Sequence, residues 1–281
     1  MIEATNKKNN KKVLIKVLND PTVNTELISC FEDEFNFLKN IDSRYILKPI
    51  TLDKTDKKIS LVYEEFDSQT LEQFIDNSLD LKSFFDLSIK ICDAIKYLHQ
   101  NKIVHGFLSS NSILISKNKD IKLINFFEAS KNKDLLFTDD EYYKAPEQLN
   151  KIGILTSKTD IYSLGIIFHE MLTGELRFYN SKKKEDLFKN IPITLVKIIE
   201  KMTSKSLDDR YSDINFVKAD LYKCIHFYKT NDFSKEFDLS HRENPFKIDN
   251  SAEIIGRDYE LKEMYYSLDQ ISVNENVLLS I

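Results

Sequence analysis

The side chains that could do chemistry sit in a few distinct settings. Lys16 closes a β-branched and apolar run, Val13-Leu14-Ile15. Glu34 lies within a stretch from Glu26 to Asn40 whose apolar residues Leu27, Phe31, Phe35 and Leu38 mark one face of a helix. His105 and Asn125 lie in two short apolar segments, Val104-His105-Gly106-Phe107-Leu108 and Leu123-Ile124-Asn125-Phe126-Phe127. Taken alone, Lys16 is one lysine among many and reads as a surface charge. Cys30, Cys92 and Cys224 are scattered, odd in number and in no metal-type spacing, which points to a reducing cytoplasm.

The elements around these residues change character along the chain. Residues 1–66 read mainly as strands with one helix. Ile46 to Leu52 and Ile59 to Phe66 are expected as two strands separated by a polar turn, Asp53 to Lys58. Residues 67–228 read as mostly helical. Leu81, Phe84, Phe85, Cys92, Ile95 and Leu98 mark a long amphipathic helix. Ile161 to Leu172 is apolar nearly all round, as for a helix at the centre of a core. Leu187 to Met202 and Ile214 to Tyr228 are further helical candidates. Residues 229–250 are polar, contain Pro245 and read as a linker. A new amphipathic pattern starts at Ala252 and ends in Val277-Leu278-Leu279-Ser280-Ile281, which reads as a buried strand.

Composition narrows the function classes. The chain has 281 residues, 42% hydrophobic, and a net charge of −5. That supports a folded core and gives no electrostatic footprint for nucleic acid. The pairs Lys7-Lys8 and Lys11-Lys12 and the run Lys182-Lys183-Lys184 are short and read as solvated surface. The N-terminus leads into Lys and Asn, not into a signal-type apolar stretch. The apolar helix Ile161 to Leu172 is too short to span a bilayer.

Residues 1 to about 228 resemble a serine/threonine protein kinase domain. The resemblance rests on many ordered landmarks and implies a two-lobed α+β fold: a small β-rich lobe over residues 1–66 and a helical lobe over 67–228. Val13-Leu14-Ile15-Lys16 resembles the strand motif V-A-I-K, whose Lys holds nucleotide phosphates, and Glu34 matches the helix Glu that pairs with it. Leu61 to Phe66 resembles the strand and hinge between lobes, with Tyr63 at the back of the pocket and the main chain of Glu64 and Phe66 facing an adenine. Asn125-Phe126-Phe127 stands where the family has D-F-G. Ala145-Pro146-Glu147 matches A-P-E, and Arg210 its ion-pair partner. Asp160 matches the residue that anchors the catalytic-loop backbone. Leu38, His105 and Phe126 match positions that stack into a spine between the lobes.

The departures from the family pattern fall on the chemistry. The family's H-R-D-L-x-x-x-N runs here from His105 to Ser112. Phe107 replaces the base Asp, Ser112 the metal-binding Asn, Ser109 the phosphate-contacting Lys and Gly106 the Arg. Asn125 keeps an oxygen but no charge, whereas magnesium prefers charged carboxylates. No glycine precedes Gly106, so no G-x-G-x-x-G lies in residues 1–105, and Met1 is expected to fall in the family's second strand. The resemblance therefore implies no intact catalytic residue, weak ATP binding through Lys16, Glu34, Glu64, Phe66 and Asn125, and no magnesium site.

Phe237-Asp238-Leu239-Ser240-His241-Arg242 and Ile254-Ile255-Gly256-Arg257-Asp258-Tyr259-Glu260-Leu261 resemble the junction in bacterial hybrid signalling proteins where a kinase-like domain precedes a P-loop ATPase of the AAA type. Residues 251–281 would then open such an ATPase, and partners would be proteins or downstream ATPase and sensor modules. Three readings compete: a pseudokinase acting as a binding or relay module, a weakly active serine/threonine kinase, and a non-functional fragment of a larger hybrid.

Overall fold

The computed structural model describes residues 1–7, 10–18, 25–55, 58–75, 77–126, 139–149, 155–176, 191–232 and 235–240. Phe127 and the expected ATPase opening at 251–281 lie outside the described residues.

The first lobe is a four-stranded antiparallel sheet with one helix. Strands β1 (Ile2–Thr5), β2 (Lys12–Leu18), β3 (Pro49–Thr55) and β4 (Lys58–Tyr63) are ordered β1-β2-β4-β3. The register pairs Lys16 with Leu61 and Leu14 with Tyr63. Helix α1 (Thr25–Leu38) joins β2 to β3. Its residues Phe31, Glu34 and Leu38 recur at helical spacing and are all buried. Glu34 is thus carried into the core by the same periodicity that buries its apolar neighbours. A charge in that position costs heavily unless it is paired.

Strand boundaries differ from the sequence expectation in physical ways. The strand expected from Ile46 starts at Pro49. Ile46 and Leu47 instead cross to the helical lobe: Leu123 N–H donates to Tyr45 O at 2.7 Å and Leu47 N–H to Leu123 O at 3.2 Å. Asp53, Lys54 and Thr55, expected as turn, pair with Ser60, Ile59 and Lys58. On this edge strand solvent meets Asp53 and Lys54, so backbone pairing outweighs composition. The following strand stops at Tyr63, and residues 64–67 form the connection between lobes.

The second lobe is mostly helical. A small sheet of β5 (Ser68–Thr70), β6 (Ile113–Ser116) and β7 (Ile121–Leu123) lies at its top, with the short helix α2 (Leu71–Phe74) after β5. Helix α3 (Leu81–Gln100) starts at Asp80, whose carboxylate accepts the Ser83 N–H at 3.0 Å. The short α4 (Pro146–Leu149) precedes α5 (Ser157–Thr173), which is buried on every side from Thr159 to Leu172. Helix α5 ends at Gly174 in the left-handed conformation, φ 70°. A Cβ there would lie 1.4 Å from Asn77 O, so only glycine fits. Helix α6 (Ile193–Met202) begins after Pro192, later than the expected Leu187, and residues 187–190 lie outside the described ones. Helix α7 (Ile214–Lys229) completes the lobe. Among the described residues, no helix is long and apolar enough to cross a membrane.

Candidate functional site

Lys16 on β2 reaches Glu34 on α1, Nζ to Oε2 at 3.0 Å. The other carboxylate oxygen, Oε1, accepts the Tyr63 hydroxyl at 2.9 Å. Both oxygens of this buried carboxylate are therefore satisfied, one by a cation and one by a neutral donor. The Lys16 ammonium also lies 5.3 Å from the Phe31 ring centroid. Tyr63 is fully buried, so its ring closes the back of the space next to Lys16. Sequence reasoning placed Tyr63 there but missed its bond to Glu34, because a tyrosine ending an apolar strand reads as core.

The connection after Tyr63 is held by its own side chains. Glu64 N–H donates to Lys48 O at 3.0 Å, and the Glu64 carboxylate accepts Lys122 Nζ at 2.6 Å. The Phe66 carbonyl accepts the Ser68 hydroxyl at 2.9 Å. Where this connection meets β1 and β2, Val13, Leu14, Glu65 and Phe66 help to line a cavity of about 10 Å³. That is room for about one water molecule.

Asp160, fully buried in the first turn of α5, organises the loop from His105 to Ser112. It accepts the backbone N–H groups of His105 at 2.9 Å and Gly106 at 2.7 Å, and His99 Nε2 at 2.9 Å. Gly106 has φ 76°, a left-handed backbone, and an added Cβ would come within 2.8 Å of Leu155 Cδ1. His105 Nε2 donates to Ile124 O at 3.0 Å, while its Nδ1 accepts the Phe107 N–H at 3.4 Å. These partners require the neutral tautomer with the proton on Nε2. Burial pushes the His105 ring well below its ordinary pKa, in agreement with that tautomer.

The side chains that follow serve the loop itself. Phe107 is half-buried and carries no acid or base. The Ser112 hydroxyl donates to Ser109 O at 2.8 Å and accepts Ser109 N–H at 2.9 Å. It is fully buried and closes a single turn, Ser110–Ser112. Asn125 adopts φ 65°, a left-handed conformation that Asn tolerates better than most residues. Phe126 stacks on His105 with centroids 4.6 Å apart and meets Phe37 at 6.2 Å. Leu38 is fully buried in the same core, but the α1 ring against Phe126 is that of Phe37, which sequence reasoning missed.

Two further contacts tie α4 and the segment before it to the rest of the helical lobe. Arg210 donates to Glu147 at 2.9 and 3.2 Å, and also to the carbonyls of Lys158 and Ser204. Burial opposes the charge on Glu147, but hydrogen bonds from Arg210 and Thr159 hold its carboxyl below the usual range. Ser110, Tyr143 and Glu170 form a buried hydroxyl–carboxylate cluster, with Tyr143 donating to Glu170 at 2.6 Å and the Ser110 and Tyr143 hydroxyls 2.8 Å apart. Burial and the adjacent Glu170 push the Tyr143 hydroxyl far up, so it stays neutral. No motif in the sequence marks this cluster, because its members lie in three distant segments.

The family model of the protein kinase domain matches residues 1–237. The chain belongs to the protein kinase family. Among similar proteins, the serine/threonine-protein kinase PrkC of Bacillus subtilis is 27% identical over 260 residues, 84% of this chain and 40% of PrkC. A probable serine/threonine-protein kinase of Clostridium acetobutylicum is 26% identical over 270 residues, 86% of this chain and 41% of that protein. The mixed lineage kinase domain-like protein of Mus musculus is 31% identical over 196 residues, 62% of this chain and 41% of that protein. The chain thus spans about two fifths of the length of these relatives. In this kinase domain the geometry divides cleanly. Lys16–Glu34, the Asp160 anchor, the His105–Phe126 stack and Glu147–Arg210 are assembled, while Phe107 carries no acid or base and the Ser112 hydroxyl is bonded within its own turn.

Proposed function

We propose that this kinase domain is a pseudokinase, a binding or relay module of a signalling protein. The observation that carries the reading is Ser112. Its hydroxyl donates to Ser109 O and accepts the Ser109 N–H, and the side chain is fully buried, so it is committed to the turn it closes and brings no amide or carboxylate oxygen to a metal. Phe107, five residues earlier, cannot take a proton from a substrate hydroxyl in any rotamer. Phosphoryl transfer depends on positioning and charge stabilisation. A positioned base alone contributes about 10²–10⁴ in rate, roughly 3–5 kcal/mol.

The side chains at the metal positions suit magnesium poorly. Asn125 is neutral, and magnesium favours charged carboxylates in a strict octahedron. Nucleotide binding is accordingly weak and metal-independent, resting on Lys16 and on the main chain at Glu64 and Phe66. The partners are proteins, or the ATPase and sensor modules of a larger cytoplasmic chain, which the Gly256-Arg257 segment favours.

A weakly active serine/threonine kinase is the second reading. It is favoured by the intact Lys16–Glu34 pair and by the similarity to proteins named serine/threonine kinases. The two readings separate on incubation with labelled ATP, magnesium or manganese, and generic acceptor proteins. The pseudokinase reading expects no incorporation. Incorporation that is lost in Lys16→Ala would establish the weak enzyme instead.

A further inference from the structure

Asp220 lies on α7 and is fully buried. A carboxylate in that position demands donors, and here two of them come from the same distant residue. Ser240 N–H reaches Oδ2 and Ser240 Oγ reaches Oδ1, both at 2.8 Å. Tyr211 O–H supplies a third bond at 2.8 Å, and Lys223 Nζ lies at 3.3 Å. The Ser240 carbonyl accepts Lys201 Nζ from α6 at 2.6 Å. Every polar group of Ser240 is thus bonded to the helical lobe.

The residues before Ser240 are seated alongside. Leu239 packs against the core. The Phe237 ring lies 5.9 Å from that of Phe227 and 4.8 Å from the Lys223 ammonium. Glu236 pairs with Lys197. Residues 235–240, which the sequence assigns to a linker, therefore occupy the groove between α6 and α7.

We propose that residues 236–240 form a releasable latch on the helical lobe, keyed by Ser240 on Asp220 and opened by negative charge at position 240. The segment is short, and Phe237, Leu239 and Ser240 are only half-buried. Its local opening therefore needs far less than global unfolding. Lys223 and Lys201 flank the key, but both Asp220 oxygens face Ser240 directly. Asp220 is filled by donors, so a serine hydroxyl fits, while an anion at 240 would face the carboxylate oxygens that Ser240 now meets at 2.8 Å. Like charges at this distance repel. Opening would free the chain at residue 240 from α6 and α7, so the latch sets how firmly anything that follows is held to this lobe.

Hydrogen exchange of the Ser240 amide in the whole chain tests this. A hydrogen bond to a charged group slows exchange by about tenfold to a hundredfold. The latch predicts that protection for the native chain and its loss in Ser240→Asp, with amides inside α5 unchanged. Chymotryptic cleavage after Phe237 should be faster in Ser240→Asp and in Ser240→Pro, which lacks the N–H, than in the native chain. An unprotected Ser240 amide in the native chain would overturn the proposal. So would full protection, and unchanged cleavage, in Ser240→Asp.

Discussion

The loop from His105 to Ser112 and the segment around Glu147 lie in the same lobe, yet they differ in what their side chains serve. At Glu147, Arg210 and Asp160 every polar group binds another element of the fold. In the loop, Ser112 closes its own turn and Phe107 offers no polar group at all. Within the loop His105 and Ser110 still reach Ile124, Tyr143 and Glu170, whereas Phe107 and Ser112 serve only local packing. The loop's backbone is held from outside by Asp160, at the His105 and Gly106 N–H groups, and by Gln148, at Gly106 O. On the proposed pseudokinase reading, the fold persists without the groups that perform the transfer.

The largest effect should come from breaking the structural region. Removing one partner of a buried ion pair costs about 3–5 kcal/mol, so Glu147→Ala should lower the melting temperature by roughly 10 °C. Lys117 pairs with Asp67 on the surface. Lys117→Ala should leave the melting temperature unchanged, because exposed pairs are screened. Equal effects from the two substitutions would remove the contrast between a structural ion pair and a surface one.

Acid should unfold the chain by a related route. His105 and His169 are both held below their ordinary pKa, chiefly by burial, and Glu147 is held below its own. Groups with a depressed folded pKa stabilise above their unfolded value and lose that contribution as pH falls. Stability measured by urea titration should be flat above about pH 6.5, the ordinary histidine value. It should decline below that pH and steepen below about pH 4.3, where carboxylates protonate. Protonating His105 also sets an Nδ1–H against the Phe107 N–H, so the loop should lose protection from exchange before α5 does.

A smaller effect is expected at the back of the cleft. Tyr63→Phe leaves Glu34 Oε1 without the Tyr63 hydroxyl and should cost about 1.5–3 kcal/mol, the usual worth of a bond to a charged group. Guanidinium unfolding of the variant measures it. No loss would mean that the oxygen finds another donor and that Tyr63 is only a packing residue.

Much of this contrast was legible in the sequence, for a local reason. Lys16, His105, Glu147, Asp160 and Arg210 sit in short motifs whose neighbours fix their places, and Glu34 falls on a helical stripe. Phe107 could be read as chemically inert from its residue type alone. What stayed hidden depends on distant partners. Tyr63 reaching Glu34, the Ser110–Tyr143–Glu170 cluster and Ser240 on Asp220 each join segments 20 to 60 residues apart. The strand end at Thr55 is hidden because edge strands tolerate polar residues, and the start at Pro49 because Ile46 and Leu47 pair with the distant Leu123. Segment 235–240 read as linker because its anchor, Asp220, looks like an ordinary helix charge until it is buried.

The central claim is that the fold has outlived its metal-dependent chemistry, and a nucleotide thermal-shift measurement tests it most directly. The chain is melted with increasing ATP, once with magnesium and once with a chelator. Even about 100 Kd of ligand adds only about 2.7 kcal/mol, so the shift will be modest. The account predicts the same small rise, or none, in both conditions, and its loss in Lys16→Ala. A rise that appears only with magnesium would contradict it, because Asn125 and its surroundings would then be holding the ion.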